Sequence, residues 1–279
     1  MDTRKIKQKL LSDFRDELSE LTEKSNNFLL KSLPSKKNIV YEIKFEKKPN
    51  KFPKEAILKL YRTNFAEKEY NALKKLEKQG LTVPTVLFYK KSYIILKKIN
   101  GVNLCDFINK NLGDITILND LNAKIRNNII FSVKKLAEWI ARLHNQNVIN
   151  KQDSIDIITL NKGDTRLRNF IFDMSNQIIY GIDFEETYEG NYHNDLAWIC
   201  CSLLDTNPGI FEMVEPTPKI ELINIFLKEY YLLNDEFHFS FNYFAERLIE
   251  NLNIVIKRRN LRLSKVNKKA ILKNISPQL

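Results

Sequence analysis

Apolar residues recur along this chain at two different periods, and the change of period divides it into helices and strands. Ile6, Leu10, Phe14, Leu18 and Leu21 fall at helical spacing over residues 4–24. The charges around them are mixed in sign, which suits a helix packed on its own domain better than one lying on a membrane. Residues 38–45 and 56–61 read as two strands. The turn between them, 47–53, holds two prolines and an Asn, so the pair reads as a hairpin. Residues 64–80 predict a helix with Thr63 or Asn64 as cap, Ala66, Tyr70, Leu73 and Leu76 as buried stripe, and Gly80 as stop. Two more strands, 86–89 and 93–96, lead into a loop over 97–104. A long helix over 122–146 carries Ile125, Ile129, Val133, Leu136, Ile140 and Leu143 at a 3.6 period, with Trp139 as core and His144 as a structural histidine at its end. A short apolar hairpin, 170–172 and 178–182, follows. After Pro216 the pattern is helical again: Thr217-Pro218 starts a helix running to Leu233, and Phe241, Phe244, Ala245, Leu248, Leu252 and Val255 mark another.

A chain of 279 residues with 43% hydrophobic content can bury one large core or two lobes, and wholesale disorder is not expected. The longest apolar run, 196–204, is broken by Ser202 and falls far short of a membrane span. The N-terminus is amphipathic and lacks the apolar core of a signal segment. Three cysteines, Cys200 and Cys201 adjacent, offer neither a disulfide framework nor zinc spacing. The expectation is a reduced, cytoplasmic protein. The net charge of +11 is uneven: from Asn251 onward come Lys257, Arg258, Arg259, Arg262, Lys265, Lys268, Lys269 and Lys273, with no acid among them. That end is either a surface for an anionic partner such as RNA or a phosphorylated substrate, or a solvated helix face with a tail, and the second is the commoner fate of basic runs.

Candidate chemistry concentrates in Lys162-Gly163-Asp164-Thr165-Arg166-Leu167-Arg168-Asn169. The apolar hairpin comes directly after it, and Asp183-Phe184-Glu185 lies at the hairpin's end. In phosphoryl transfer one carboxylate orients the attacking hydroxyl, while an Asn and a second carboxylate hold Mg²⁺ against the phosphates. The hairpin brings Asp164, Asn169 and Asp183 toward one edge of a small sheet. Two other acids compete. Asp153 has Ile158 five residues on, which cannot bind metal. Asp156 has Asn161 at that spacing, but no hairpin follows at once.

This stretch resembles the catalytic core of the protein-kinase-like superfamily, and most closely its aminoglycoside and choline phosphotransferase branch, whose loop reads His-Gly-Asp-x-x-x-x-Asn. Lys59, in Ala-Ile-Leu-Lys, matches the superfamily's strand lysine. Glu69, four residues before Leu73, matches its helix glutamate and is preferred over Glu67. Residues 97–104 resemble the interlobe hinge, where the backbone at Lys97 and Ile99 would meet the adenine edge. Asp195 matches the aspartate that holds the catalytic-loop backbone. The resemblance covers about residues 38–205. Three departures stand out: no glycine precedes Gly80, Lys162 replaces the loop histidine, and Glu185 replaces the Gly of Asp-Phe-Gly. Only Phe184 to Asn194 separates Asp183 from Asp195, much shorter than the activation segment of a regulated protein kinase.

The resemblance implies an α+β, two-lobed kinase-like fold: a helical extension over 1–37, a small antiparallel-sheet lobe over 38–98, and a larger helical lobe over 99–279 with a basic helical end. It implies an ATP- and Mg²⁺-dependent phosphotransferase acting on a hydroxyl of a small-molecule acceptor, with ATP between the lobes. Lys59, supported by Glu69, would hold phosphates. Asp164 would orient the acceptor, and Asn169 and Asp183 would bind metal. Arg166 would touch the γ-phosphate or pair with Glu185 or Glu186. The alternatives are an atypical serine/threonine protein kinase and a nucleotide-binding pseudokinase scaffold.

Overall fold

The computed structural model describes residues 3–17, 28–49, 52–113, 115–207, 209–212, 216–261 and 268–275. The chain divides into two compact units. The first takes residues 1–77 and 83–99, the second 78–82 and 100–279.

The first unit is an antiparallel five-stranded sheet in the order β1-β2-β3-β5-β4. Its strands are β1 Phe28–Leu33, β2 Ile39–Phe45, β3 Glu55–Leu60, β4 Val86–Lys90 and β5 Tyr93–Lys97. Tyr41, Ile43, Phe45, Ala56, Leu58, Tyr93 and Ile95 bury one face. Ile6 and Leu10 of α1 (Thr3–Glu17) and Phe28 of β1 join that core. The expected hairpin is β2–β3, with Tyr41 opposite Leu58 and Val40 opposite Lys59. The expected helical extension over 1–37 is different in kind. β1 pairs along its length with β2, from Phe28–Phe45 to Leu33–Val40, so the line drawn at residue 38 falls between two paired strands. The predicted first helix ends within the described residues at Glu17, and Leu18 and Leu21 lie outside them. Helix α2 (Phe65–Lys78) buries Ala66, Glu69, Leu73 and Leu76, as its period requires.

The second unit is mainly helical. Its helices are α3 (Leu104–Leu112), α4 (Ala123–Asn145), α5 (His193–Leu204), α6 (Thr217–Leu233), α7 (Phe241–Arg259) and α8 (Lys268–Asn274). Asn103 caps α3 by accepting the Cys105 N–H at 3.0 Å. α4 packs on α6, and α5 on α7. Two small sheets complete the unit. One joins β9 (Phe170–Asp173) to β10 (Ile178–Gly181) and to β6 (Val102–Asn103). The other joins β8 (Ile157–Asn161) to β7 (Val148–Lys151) and β11 (Tyr188–Asn191). No described helix is long and apolar enough to cross a membrane.

Candidate active site

The predicted residues lie in both units. In the first, Lys59 is carried by β3 and Glu69 by α2. Both are buried, and the Lys59 ammonium meets Glu69 Oε2 at 2.6 Å. The Tyr61 hydroxyl donates to the same oxygen at 2.5 Å, and its ring lies 5.0 Å from the Lys59 ammonium. Glu69 pairs with this buried ammonium and holds it in place. Lys97 ends β5 with an exposed side chain. Its N–H is donated to the Thr85 carbonyl at 2.9 Å, so that group is not available to an adenine. The hinge reading therefore narrows to the Lys97 carbonyl and the Ile99 backbone.

In the second unit the β9–β10 hairpin builds the geometry. Phe170 faces Gly181 in register, and the next bond outward runs from the Ile182 N–H to the Asn169 carbonyl at 2.9 Å. Asn169 before the hairpin and Asp183 after it are thereby set side by side. The Asn169 amide nitrogen donates to the Asp164 carbonyl at 3.0 Å, so the amide's remaining acceptor is Oδ1. Asp183 sits at φ 64, in the left-handed region that a non-glycine residue occupies only when its surroundings hold it there.

Lys162 supplies that hold. Its side chain is wholly buried, and its ammonium donates to the Asp164 carbonyl at 2.8 Å and to the Asp183 carbonyl at 3.0 Å. It also lies 5.0 Å from the Phe184 ring and 5.5 Å from the Phe170 ring. The departure from the family's histidine thus changes the residue that braces the loop, and the loop and the end of the hairpin stay tied together. Lys162→Met removes both donations and leaves a side chain of similar length. Backbone support of this kind is worth about 10–100-fold in metal affinity. The expected outcome is a loss of that size in divalent-dependent nucleotide binding, measured by titration, with the thermal midpoint little changed because a buried charge is removed as well.

Asp195, at the start of α5, anchors the loop from behind. It accepts the Lys162 N–H at 2.7 Å and the Gly163 N–H at 3.1 Å, and His144 Nε2 lies 3.3 Å from it. His144 Nδ1 meets the Tyr230 hydroxyl at 2.9 Å, so the histidine is a buried structural link. Gly163 has φ +84, and a Cβ there would lie 2.2 Å from the Glu186 carbonyl oxygen. Gly163→Ala should therefore cost at least about 2 kcal/mol through backbone strain and displacement of the facing chain. A clear fall in thermal midpoint is the expected measurement.

Arg166 does something the sequence left out. It pairs neither with Glu185 nor with Glu186 but with Asp164 itself: Nε donates to Oδ1 at 2.5 Å, and a terminal nitrogen meets Oδ2. Burial would raise the Asp164 pKa. The Arg166 hydrogen bonds and charge, with Lys162 and Arg168 adding to them, reverse this and hold it well below the usual carboxylate range. Asp164 is therefore ionised across ordinary pH. The Asp183 and Glu185 carboxylates lie within 4.8 Å of one another. Asp153 and Asp156, the competing acids, lie away from this cluster of contacts: Asp153 instead accepts the Ile155 and Asp156 N–H groups at 2.7 Å, closing a turn.

The basic end is split by the structure. Arg259 is engaged by Asp205 at 2.8 Å and Glu212 at 3.8 Å. Arg258 lies 5.8 Å from the Trp198 ring. Arg262 and Lys265 lie outside the described residues.

An antiparallel-sheet unit with a buried Lys–Glu pair and a helical unit with this loop and hairpin define the protein-kinase-like fold. A RIO domain family model matches residues 27–160, a little under half of the chain. No curated protein matches the chain in sequence. Solved structures do resemble it in three dimensions. A Ralstonia eutropha protein described as an aminoglycoside phosphotransferase is 14% identical, with TM-score 0.61, over 97% of this chain and 94% of that one. A Plasmodium vivax ethanolamine kinase is 13% identical, with TM-score 0.55, over 98% and 88%. An aminoglycoside phosphotransferase of Streptomyces rimosus, in complex with ADP and streptomycin, is 12% identical, with TM-score 0.54, over 87% and 97%. At these identities the likeness establishes the fold, which is the one expected from the loop and hairpin.

Proposed function

We propose that the protein is an ATP- and Mg²⁺-dependent phosphotransferase that moves the γ-phosphate to a hydroxyl of a small-molecule acceptor. The observation that carries this reading is the joint placement of Asp164, Asn169 and Asp183 by one hairpin, with the Asn169 amide turned by the Asp164 carbonyl so that an oxygen remains for a cation. Asn169 Oδ1 and the Asp183 carboxylate are hard oxygen donors of the type Mg²⁺ takes. Bound there, the ion would neutralise charge on the phosphates. Lys59, held in place by Glu69, would hold phosphate oxygens. The loop between β1 and β2 contains Pro34, Ser35, Lys36, Lys37 and Asn38, so its lysines would bring charge where relatives bring glycine N–H groups. Asp164 would accept a hydrogen bond from the acceptor hydroxyl and take its proton as the new bond forms. Arg166 would fix that carboxylate and offer its remaining donor face to transferring oxygens.

A small acceptor suits the segment after Asp183. Residues 188–191 are used as β11, paired with β8 from Tyr188–Asn161 to Asn191–Ile158, and so do not form an extended peptide platform. The ADP and streptomycin in the Streptomyces rimosus structure illustrate the substrate classes that this fold accommodates in a neighbour. The test is a screen of alcohols, sugars, aminoglycosides, lipids and a generic protein substrate for ATP-dependent phosphate incorporation. Incorporation into a small hydroxyl compound is expected. Incorporation into protein alone would move the protein to the protein-kinase reading, and none at all, with nucleotide bound, to the pseudokinase reading.

A further inference from the structure

Three arginines of the second unit, Arg166, Arg168 and Arg258, lie on or near the catalytic loop, and only Arg166 makes an ion pair among the described residues. Arg166 is committed to Asp164. Arg168 follows two residues later, with an exposed side chain and a carbonyl fixed by the Asn103 amide at 2.5 Å. Between them the Leu167 N–H is donated to Ser202 Oγ of α5 at 3.0 Å. Trp198 lies four residues before Ser202, on the same face of that helix. The Arg258 guanidinium, from the last turn of α7, lies 5.8 Å from the Trp198 ring. Two side-chain contacts on one helix face thus bring Arg258 to the loop that carries Arg168.

Neither Arg168 nor Arg258 makes an ion pair among the described residues, whereas the adjacent Arg259 has both Asp205 and Glu212. The charges that act on Arg168 are those of Arg166 and Arg258, with Asp164 and Asp183 opposing them. A cation at the end of α7 suits the helix dipole, which accounts for a basic last turn in general. It does not account for Arg168, which is on another element and faces like charges. Guanidinium groups that make no ion pair offer donors suited to phosphate or carboxylate oxygens.

We infer that Arg168 and Arg258 hold an anionic group of the acceptor, so that the hydroxyl phosphorylated at Asp164 belongs to a molecule that already bears a phosphate or a carboxylate. This rests on the phosphotransferase reading for the word acceptor, but the anion site itself does not need turnover. Inorganic phosphate and acetate serve as head-group probes, titrated into the full chain at constant ionic strength so that general screening is held fixed. Saturable binding is expected, weakened about tenfold or more in Arg168→Gln and in Arg258→Gln, the scale of losing a charged hydrogen bond. Lys59→Ala should leave it in place. No saturable binding of either probe, equal binding by the Gln variants, or loss in Lys59→Ala would each overturn the proposal. The relative strength of the two probes tells phosphate from carboxylate. In the acceptor screen, glycerol 3-phosphate and glycerate are compared with glycerol, and glucose 6-phosphate and glucuronate with glucose. Preference for the neutral members would also overturn it. If the anion binds as expected but no acceptor is ever phosphorylated, the phosphotransferase reading fails and the anion site stands.

Discussion

Asp164→Asn should reduce phosphate transfer by roughly 10²-fold or more while leaving nucleotide affinity nearly unchanged, since that is the usual scale for losing a positioned base. The substitution keeps the size of the side chain and one hydrogen-bond acceptor for Arg166, but no carboxylate remains to take the hydroxyl proton. An effect confined to turnover would mean that the lost interaction belongs to the transition state. Lys59→Ala supplies the contrast. It removes a group that would hold phosphate in the ground state as well, so binding and turnover should fall together. Nucleotide titration and initial-rate measurements on both variants decide the matter, with slow ATP hydrolysis as the rate where no acceptor is known. A parent without turnover, indistinguishable from Asp164→Asn, would leave the pseudokinase reading.

The Arg166 pairing adds a pH expectation to the same residue. The folded-state pKa of Asp164 lies below its unfolded value of about 4. The pair therefore contributes stability that is complete above that value and is lost as pH falls through the folded one. Turnover should accordingly show no acid limb from Asp164 between about pH 5 and 7. An acid limb in that range, abolished by Asp164→Asn, would contradict the pairing.

What could be read from the sequence, and what could not, follows from how local each determinant is. The spacing Asp164, Asn169, Asp183 was readable because a single hairpin register sets it, and the periods of α2, α4, α6 and α7 were readable because each buries one face. β1 was not. It is an edge strand with Leu29 66% exposed, so its apolar residues do not alternate with its burial. β7 is exposed along its length, and β11, Tyr-Glu-Gly-Asn, has little intrinsic strand preference. Both exist because β8 lies between them. The partner of Arg166 was equally out of reach. Spacing offers Glu185, Glu186 and a phosphate as candidates, and the choice of Asp164 depends on a side-chain direction that no spacing encodes. Lys162 shows the opposite limit. It departs from the motif the sequence resembles, yet its long side chain reaches both the Asp164 and Asp183 carbonyls and keeps the loop and the hairpin end joined.

That joint sets up the most severe expected effect. Asp183→Ala should abolish the part of nucleotide affinity that depends on Mg²⁺ and lower turnover by about 10³-fold, since metal charge at a phosphoryl group is worth several kcal/mol. Asn169 offers one neutral oxygen, too little by itself to hold a hard cation at ordinary concentrations, and the Glu185 carboxylate within 4.8 Å of Asp183 is, among the described residues, the one charged group left to compensate at this end of the hairpin. Alanine at φ 64 is also less tolerated than Asp, whose short polar side chain suits that region, so a fall in stability could confuse the result. Asp183→Asn removes the charge and keeps the conformational preference, and it should reproduce the loss of the Mg²⁺ increment with the thermal midpoint near that of the parent. Lys162→Met should fall between, because it loosens the Asp183 backbone and leaves the carboxylate in place. Nucleotide titrations with and without Mg²⁺ on the three variants give the order. If Asp183→Asn binds Mg-ATP as tightly as the parent, the cation is held elsewhere and the assignment of Asn169 and Asp183 as its ligands is wrong.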